Sequence, residues 1–168
     1  MHAADDPDAI VKAITATTAA ELRQISDWTH DAFLLAANGI TYSRQHELVE
    51  VRFQQEPLDR ALALPQRQLA RKSWWATDCR LPYVLCRLRV RGVVADPTTP
   101  TGLDSEETLV GVDWDAQTAT LRIHTAIGPI RVRARQLRAE LLITSHIVNI
   151  RRRRVGRVIP YDSTSGPL

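Results

Sequence analysis

The chain has 168 residues, of which 44% are hydrophobic and 24% charged, and its formal net charge is +3. These values are typical of one globular domain and exclude a disordered chain. No apolar run approaches the ~18 residues of a membrane helix, and the first eight residues, with three aspartates, do not resemble a secretory signal. The only cysteines, Cys79 and Cys86, favour a reduced cytoplasmic setting and no zinc site.

An N-terminal helix is predicted over about residues 18–27. Thr18 and Glu21 have the spacing of a capping box, and the apolar residues that follow share one helical face. A looser helical turn is expected near residues 8–14.

From residue 33 onward the pattern changes to the every-second-residue alternation of β-strands. Val49, Val51 and Phe53 share one face of such a run, and polar side chains share the other. Turn sequences separate further runs, which predict strands at about 33–42, 47–54, 83–95, 108–114, 118–126 and 130–143.

The predicted fold class is therefore α+β and mainly β. We expect an antiparallel sheet of about seven strands built from hairpins, with the N-terminal helix and a short helical insertion within residues 56–82. Residues 1–150 are predicted to form a single β-rich domain, and residues 151–168 a basic C-terminal arm and flexible tail.

Alternation on the strands also aligns arginine side chains on the polar faces. Acidic neighbours such as Glu50, Glu106, Glu107 and Glu140 would neutralise them in a surface ion-pair network. The alternative is an anion-binding face for phosphate backbones or an acidic protein. The candidate residues are Arg87, Arg89, Arg91, Arg122, Arg131, Arg133 and Arg135, together with the consecutive Arg151, Arg152, Arg153 and Arg154.

Two adjacent tryptophans, Trp74 and Trp75, stand out in the predicted insertion. One interpretation is that one of them covers the core while the other is half exposed. The other is that the pair anchors a protein partner, because exposed tryptophan is enriched at interfaces.

Catalytic motifs are not recognisable in the sequence. The adjacent His30 and Asp31 could supply two metal ligands, but further ligands at a suitable spacing are missing, and backbone capping is the simpler interpretation. We therefore predict no catalytic residue, no metal and no cofactor. Convergence of this pair with another ionisable side chain in one cleft would favour an enzyme of unrecognised type.

The segment Trp28-Thr-His30-Asp31-Ala32-x-x-Leu35 resembles the opening motif of immunity protein 50 and related small bacterial β-rich families. Residues 88–96 are similar to the central strand of these proteins, and residues 109–114 with 128–133 to their closing hairpin. The resemblance covers about residues 28–143 and implies a compact antiparallel sheet that neutralises a toxin by binding it. Many immunity proteins are acidic to match basic toxins, whereas these strands are rich in arginine.

The sequence thus favours a non-enzymatic binding module, of immunity type, with a protein partner and no membrane association. A nucleic-acid-binding protein that uses the arginine face and the arginine run is the main alternative, and an enzyme of unrecognised type is another. The oligomeric state stays open.

Overall fold

The computed structural model describes residues 9–35, 39–57, 68–72, 76–103 and 106–156, of which 68–72, 76–80 and 152–156 are described by their backbone alone. This part of the chain forms one helix and ten strands. They are β1 (Ile10–Ala16), α1 (Ala19–Thr29), β2 (Phe33–Leu34), β3 (Ile40–Ser43), β4 (Leu48–Gln55), β5 (Gln68–Lys72), β6 (Ala76–Arg91), β7 (Leu109–Asp115), β8 (Thr120–Thr125), β9 (Gly128–Arg133) and β10 (Ala139–Gly156). Its single helix is too short to cross a membrane.

The strands form two antiparallel sheets. The larger has seven strands with the order β1-β10-β6-β4-β2, and β3 pairs with β4 while β5 pairs with β6. The smaller is the meander β7-β8-β9. The mainly β, antiparallel character predicted from the sequence is therefore confirmed.

The prediction of a single sheet was wrong. The meander ends with β9. The chain then bends, and the next strand, β10, lies in the larger sheet between β1 and β6. The outer edge of β9 does not pair with β10. It contacts residues 93–98, where Thr98 and Arg131 exchange two backbone hydrogen bonds. Because these partners are far apart in sequence, local alternation could not assign the strands to two sheets.

The two additional helical predictions were also wrong where the structure describes the chain. Residues 10–16 form β1, because Ile14 and Ala16 are buried and pair with Leu141 and Ala139 of β10. Leu69, expected in a helical insertion, lies in β5. Residues 58–67 and 73–75 of the predicted insertion lie outside the described residues.

The predicted N-terminal helix is confirmed as α1. The Thr18 hydroxyl accepts a hydrogen bond from the Glu21 N–H, and the Glu21 carboxylate accepts one from the Thr18 N–H. Hydrogen bonds from Thr17 and Thr18 also lower the pKa of Glu21. Leu22, Ile25 and Trp28 are buried, so this face of the helix packs into the core.

One hydrophobic core joins α1 to the inner faces of both sheets. In β4 the residues Val49, Val51 and Phe53 are fully buried, as the alternation predicts. The predicted hairpin between β3 and β4 is present, with Ser43 opposite Leu48. Cys86 is buried in the same core, and burial raises the pKa of its thiol.

Strand β10 crosses the predicted boundary between residues 150 and 151. Its backbone pairs with β6 from Ala139 to Gly156, including the segment that contains the arginine run. Residues 157–168 lie outside the described part of the chain.

Candidate functional site: an acidic cleft at the end of the helix

An open cleft of about 610 Å³ lies where α1 ends against β2, β4 and β6. Its helix side is formed by Ser26, Asp27, His30 and Asp31. The strands contribute the other walls, and Thr108 lies beside β2, where it forms an antiparallel bridge with Phe33.

The end of the helix fixes the positions of His30 and Asp31. The His30 N–H still donates to the Ser26 carbonyl, but the next residue turns into the left-handed region, with a φ of 60° at Asp31. This conformation is uncommon for a residue with a Cβ. It directs the Asp31 N–H to the Leu109 carbonyl at 3.0 Å and so joins the helix end to β7.

The side chains of His30 and Asp31 contact each other instead of capping the backbone. The Nδ1 atom of His30 lies 3.1 Å from a carboxylate oxygen of Asp31. Their side chains are 62% and 81% exposed, respectively. Both groups are therefore available to a molecule that enters the cleft.

Gln55 at the end of β4 holds the helix terminus in place. Its buried side-chain amide donates to the carbonyl oxygens of Trp28 and His30, at 3.0 and 2.7 Å. Its carbonyl oxygen accepts from the N–H of Glu56 at 2.8 Å. These bonds satisfy carbonyl groups that a helix end leaves without partners.

Ser26 has a structural role in the same wall. Its hydroxyl oxygen accepts a hydrogen bond from the Val112 N–H at 3.0 Å. A Cβ atom at Gly111 would lie only 2.9 Å from this oxygen, so the approach of β7 to the helix requires glycine. Ser26 therefore connects α1 to the smaller sheet.

Carboxylates dominate the charge of the cleft. Asp27, Asp31 and Glu56 line it, and His30 is its one basic side chain among the described residues. The described residues that line the cleft thus carry a formal charge of −3 with His30 neutral, in a chain whose net charge is +3. This local reversal of sign is the main electrostatic feature of the site.

An aromatic pair forms the remaining wall. The rings of Phe33 and Tyr83 have centroids 5.8 Å apart and are tilted by 59°. The guanidinium carbon of Arg151 lies 3.8 Å from the Phe33 centroid and 5.1 Å from that of Tyr83. A nitrogen of the same guanidinium lies 3.4 Å from a Glu106 carboxylate oxygen.

The cleft does bring His30 and Asp31 together with two further carboxylates, which is the convergence that would favour an enzyme. However, the described residues contain no group of three or more potential ligands that could hold a metal ion. The hydroxyl of Ser26 is engaged with the backbone of β7 rather than with the imidazole of His30. The arrangement is suited to binding cations and donors through its carboxylates.

The candidate arginines are divided between the two sheets. Arg87, Arg89 and Arg91 lie on the outer face of β6, and Arg89 and Arg52 both donate to the carboxylate of Glu50 at 2.8 Å. Partial burial alone would raise the pKa of Glu50, but these two bonds outweigh it and lower the pKa. At Glu50 the larger sheet therefore carries a surface ion-pair network, which was one of the two interpretations of the aligned arginines; the other was an anion-binding face.

A second network lies on the smaller sheet. Arg122 donates to Asp113 at 2.7 Å, and His124 forms a hydrogen bond with the other oxygen of the same carboxylate. These bonds lower the pKa of Asp113, against the opposing effect of partial burial. Arg131 lies directly opposite Arg122, as the predicted hairpin requires, and two residues further Arg133 is also exposed.

The remaining candidates have different surroundings. Arg135 forms an ion pair with Glu47 in the β3–β4 turn. Arg151 belongs to the aromatic pair at the cleft rather than to either network. Trp74 and Trp75 lie outside the described residues, as do the side chains of Arg152, Arg153 and Arg154.

Sequence reasoning identified His30 and Asp31 but missed their neighbours in the cleft. Asp27 is three residues before His30, which caps the end of α1, and this i,i+3 spacing was a usable signal. Glu56 and Tyr83 reach the cleft only through the pairing of β4 with β6, which the sequence does not display.

Comparisons with known proteins do not assign the chain to a family. No family model matches it, and no curated protein or solved structure matches it significantly.

Proposed function

We propose that this chain is a non-enzymatic binding module that holds a basic segment of a protein partner in its acidic cleft. The observation that carries the proposal is the cleft itself, which combines three carboxylates with an aromatic wall in an otherwise basic chain. Complementary charge favours the encounter with a partner of opposite sign and excludes partners of like sign.

The exposure of the two aspartates supports binding of cations. Asp31 is 81% exposed, and Asp27 is exposed and forms no ion pair with any residue that the structure describes. Charged hydrogen bonds between carboxylates and arginine are stronger than neutral ones. An arginine of the partner would therefore find in Asp27 an acceptor that does not first have to break an internal ion pair, and in Asp31 an exposed carboxylate whose one described contact is with His30.

The aromatic wall supports a guanidinium in particular. Arg151 of the chain already lies over Phe33 and Tyr83, at distances within the ~6 Å range of cation–π attraction. The Arg151 contact illustrates how these rings associate with a planar cation. Glu106 supplies the accompanying carboxylate.

An immunity-type role is the finer form of this proposal, and it rests on the resemblance of residues 28–35, 88–96, 109–114 and 128–133 to that class. An acidic cleft is the feature that would match a basic toxin. His30 and Asp31, which belong to the opening motif, line this cleft. The arginine-rich strands therefore need not contact the toxin.

The proposal can be tested by NMR titration of the ¹⁵N-labelled protein with the peptide acetyl-Gly-Arg-Gly-Arg-Gly-amide. We expect saturable shift changes confined to residues 26–31, 33, 55–56 and 83, since these residues form the helix, β4 and aromatic sides of the cleft. The same peptide with glutamate in place of arginine should produce none. Shift changes that are absent, or spread over the whole surface, would contradict the proposal.

A cleft variant and a control outside the cleft assign any peptide binding to the cleft. The double variant Asp27→Asn/Asp31→Asn retains the shape of the cleft but removes two of its charges, and we expect it to weaken peptide binding. Asp96→Asn removes a charge from an exposed aspartate outside the cleft and should leave peptide binding unchanged.

A further inference from the structure

The end of β4 remote from the cleft is surrounded by exposed arginines. Leu48 at this end pairs with Arg91, the last residue of β6, whereas Gln55 at the cleft end pairs with Val84. The eight residues of β4 separate the two ends by about 23 Å at ~3.3 Å per residue. A ligand at one end would thus leave the other free.

Backbone hydrogen bonds bring arginines from distant segments to this end. The Arg91 N–H donates to the Arg138 carbonyl, and the Arg135 N–H donates to the Gly92 carbonyl, both at 3.0 Å. One step further, the Val94 N–H donates to the Arg133 carbonyl at 3.0 Å. The bend between β9 and β10 is therefore held against the end of β6.

The β3–β4 turn adds one more arginine. Arg44 begins this turn, and its carbonyl accepts from the N–H of Glu47, whose carboxylate pairs with Arg135. The carbonyl of Glu47 accepts in turn from the Val93 N–H. We call the resulting surface the basic end, and it consists of Arg44, Arg91, Arg133, Arg135 and Arg138, all of which are exposed.

The charges of the basic end are mostly uncompensated. Arg135 pairs with Glu47, but the other four arginines form no ion pair with any residue in the described ranges. Arg131 lies two residues before Arg133 and extends the surface along β9. Like charges brought together in this way destabilise a fold unless a ligand of opposite sign offsets them.

We propose that the basic end binds the phosphate backbone of double-stranded nucleic acid. Arginine forks recognise phosphate oxygens bidentately, and a duplex presents one repeating sign of charge along both strands. Protein interfaces depend on apolar or aromatic anchors, and Val94 is the one exposed large apolar side chain of the described residues that lies here. Base stacking plays no part, so the contact is independent of sequence.

The direct test is fluorescence anisotropy of a labelled 20-base-pair DNA duplex titrated with the full chain at 50 and 200 mM KCl. We expect binding that weakens at least tenfold between the two salt concentrations, because several phosphate contacts release counterions. Absence of binding at 50 mM KCl, or binding that salt does not change, would overturn the proposal.

Variants of equal charge locate the contact. Arg91→Gln/Arg133→Gln should weaken binding at least tenfold at 50 mM KCl and reduce the log–log salt slope by about 1.8, since each phosphate contributes ~0.9. Arg23→Gln/Arg52→Gln removes the same charge elsewhere and should change affinity by less than about twofold. Equal losses in both variants would show an effect of net charge alone and would overturn the proposal.

Two further measurements test whether the arginine run binds the duplex instead of the basic end, and whether the basic end binds an acidic protein instead of a duplex. Arg152→Gln/Arg153→Gln/Arg154→Gln measures the contribution of the arginine run, and a loss of binding confined to this variant would refute a role for the basic end. Polyglutamate that binds the basic end while the duplex does not would indicate an acidic protein instead. The variant Asp27→Asn/Asp31→Asn should bind the duplex as wild type does, so failure of the cleft proposal is distinguishable from failure of this one.

Discussion

The guanidinium of Arg151 lies over the ring of Phe33, with its central carbon 3.8 Å from the ring centroid. This contact joins β10 to the two-residue strand β2 beside the acidic cleft. Tyr83 and Leu81 complete a small apolar cluster here that is separate from the main core. The wall of the cleft is thus held by residues from three strands.

Replacement of Arg151 by glutamine should destabilise the protein by about 1 kcal/mol, the typical value of a partly desolvated cation–π contact. Glu106→Gln removes only the ion pair of the same guanidinium, and because Glu106 is 61% exposed, its cost should be below about 0.5 kcal/mol. Urea unfolding measures both. If the two variants lose equal stability, the ion pair rather than the ring holds Arg151.

Gln55→Leu should reduce the free energy of unfolding by about 2 kcal/mol, because carbonyl groups of Trp28 and His30 lose their buried donor. Leucine has a similar volume, so the effect measures hydrogen bonding rather than packing. Gln24→Ala on the exposed face of α1 serves as the control and should be nearly neutral. Wild-type stability of Gln55→Leu would refute the assigned role in holding the helix end.

Glu50→Gln should cost about 1–2 kcal/mol at pH 7, since Arg89 and Arg52 share its carboxylate. The pKa of Glu50 is lowered in the folded state, so its contribution is present above the ordinary value near 4.5 and is lost as the pH falls through the lowered pKa. Urea unfolding at pH 7 and pH 3 should therefore show a difference from wild type that shrinks in acid.

Glu140→Gln is the matched control for this prediction. Glu140 lies opposite Arg89 on the other neighbouring strand, but it forms no ion pair within the described part of the chain. Its substitution should change stability by less than about 0.5 kcal/mol at either pH. A pH-independent cost at Glu50 would instead indicate packing rather than charge.

Thr18→Ala should lower stability by about 1 kcal/mol, because the N-cap hydroxyl no longer accepts from the Glu21 N–H. Thr17→Ala removes a hydroxyl that also contacts Glu21 but leaves the cap itself intact. Thermal unfolding followed by circular dichroism compares the two. A loss at Thr17 equal to that at Thr18 would show that the capping box is not the stabilising element.

Features encoded locally were predictable from the sequence. The capping box located α1, and the alternation in β4 correctly placed Val49, Val51 and Phe53 in the core. The capping box and the strand alternation both depend on residues that are close together in the sequence. The break between the predicted strands 33–42 and 47–54, where the β3–β4 turn lies, was predictable for the same reason.

Features created by distant pairing were not predictable. β1 is a strand because β10 pairs with it, as in Ile14 opposite Leu141, and local propensity alone suggested a helical turn. The cleft is likewise assembled from the end of α1, from β2 directly after it, and from the ends of β4 and β6, which lie much further along the chain. The sequence predicted one strand over residues 130–143, whereas β9 ends at Arg133 and β10 begins at Ala139, so that Arg138 lies in the connection between them.

The central claim is that the acidic cleft binds a protein partner. Isothermal titration calorimetry tests it most directly, with a partner that has been captured from the source organism and purified. We predict that Asp27→Asn/Asp31→Asn weakens the complex about tenfold, which corresponds to ~1.4 kcal/mol, while Asp96→Asn binds as wild type does. Equal affinity of the cleft variant and wild type, or the absence of any partner bound in stoichiometric amount, would contradict the account.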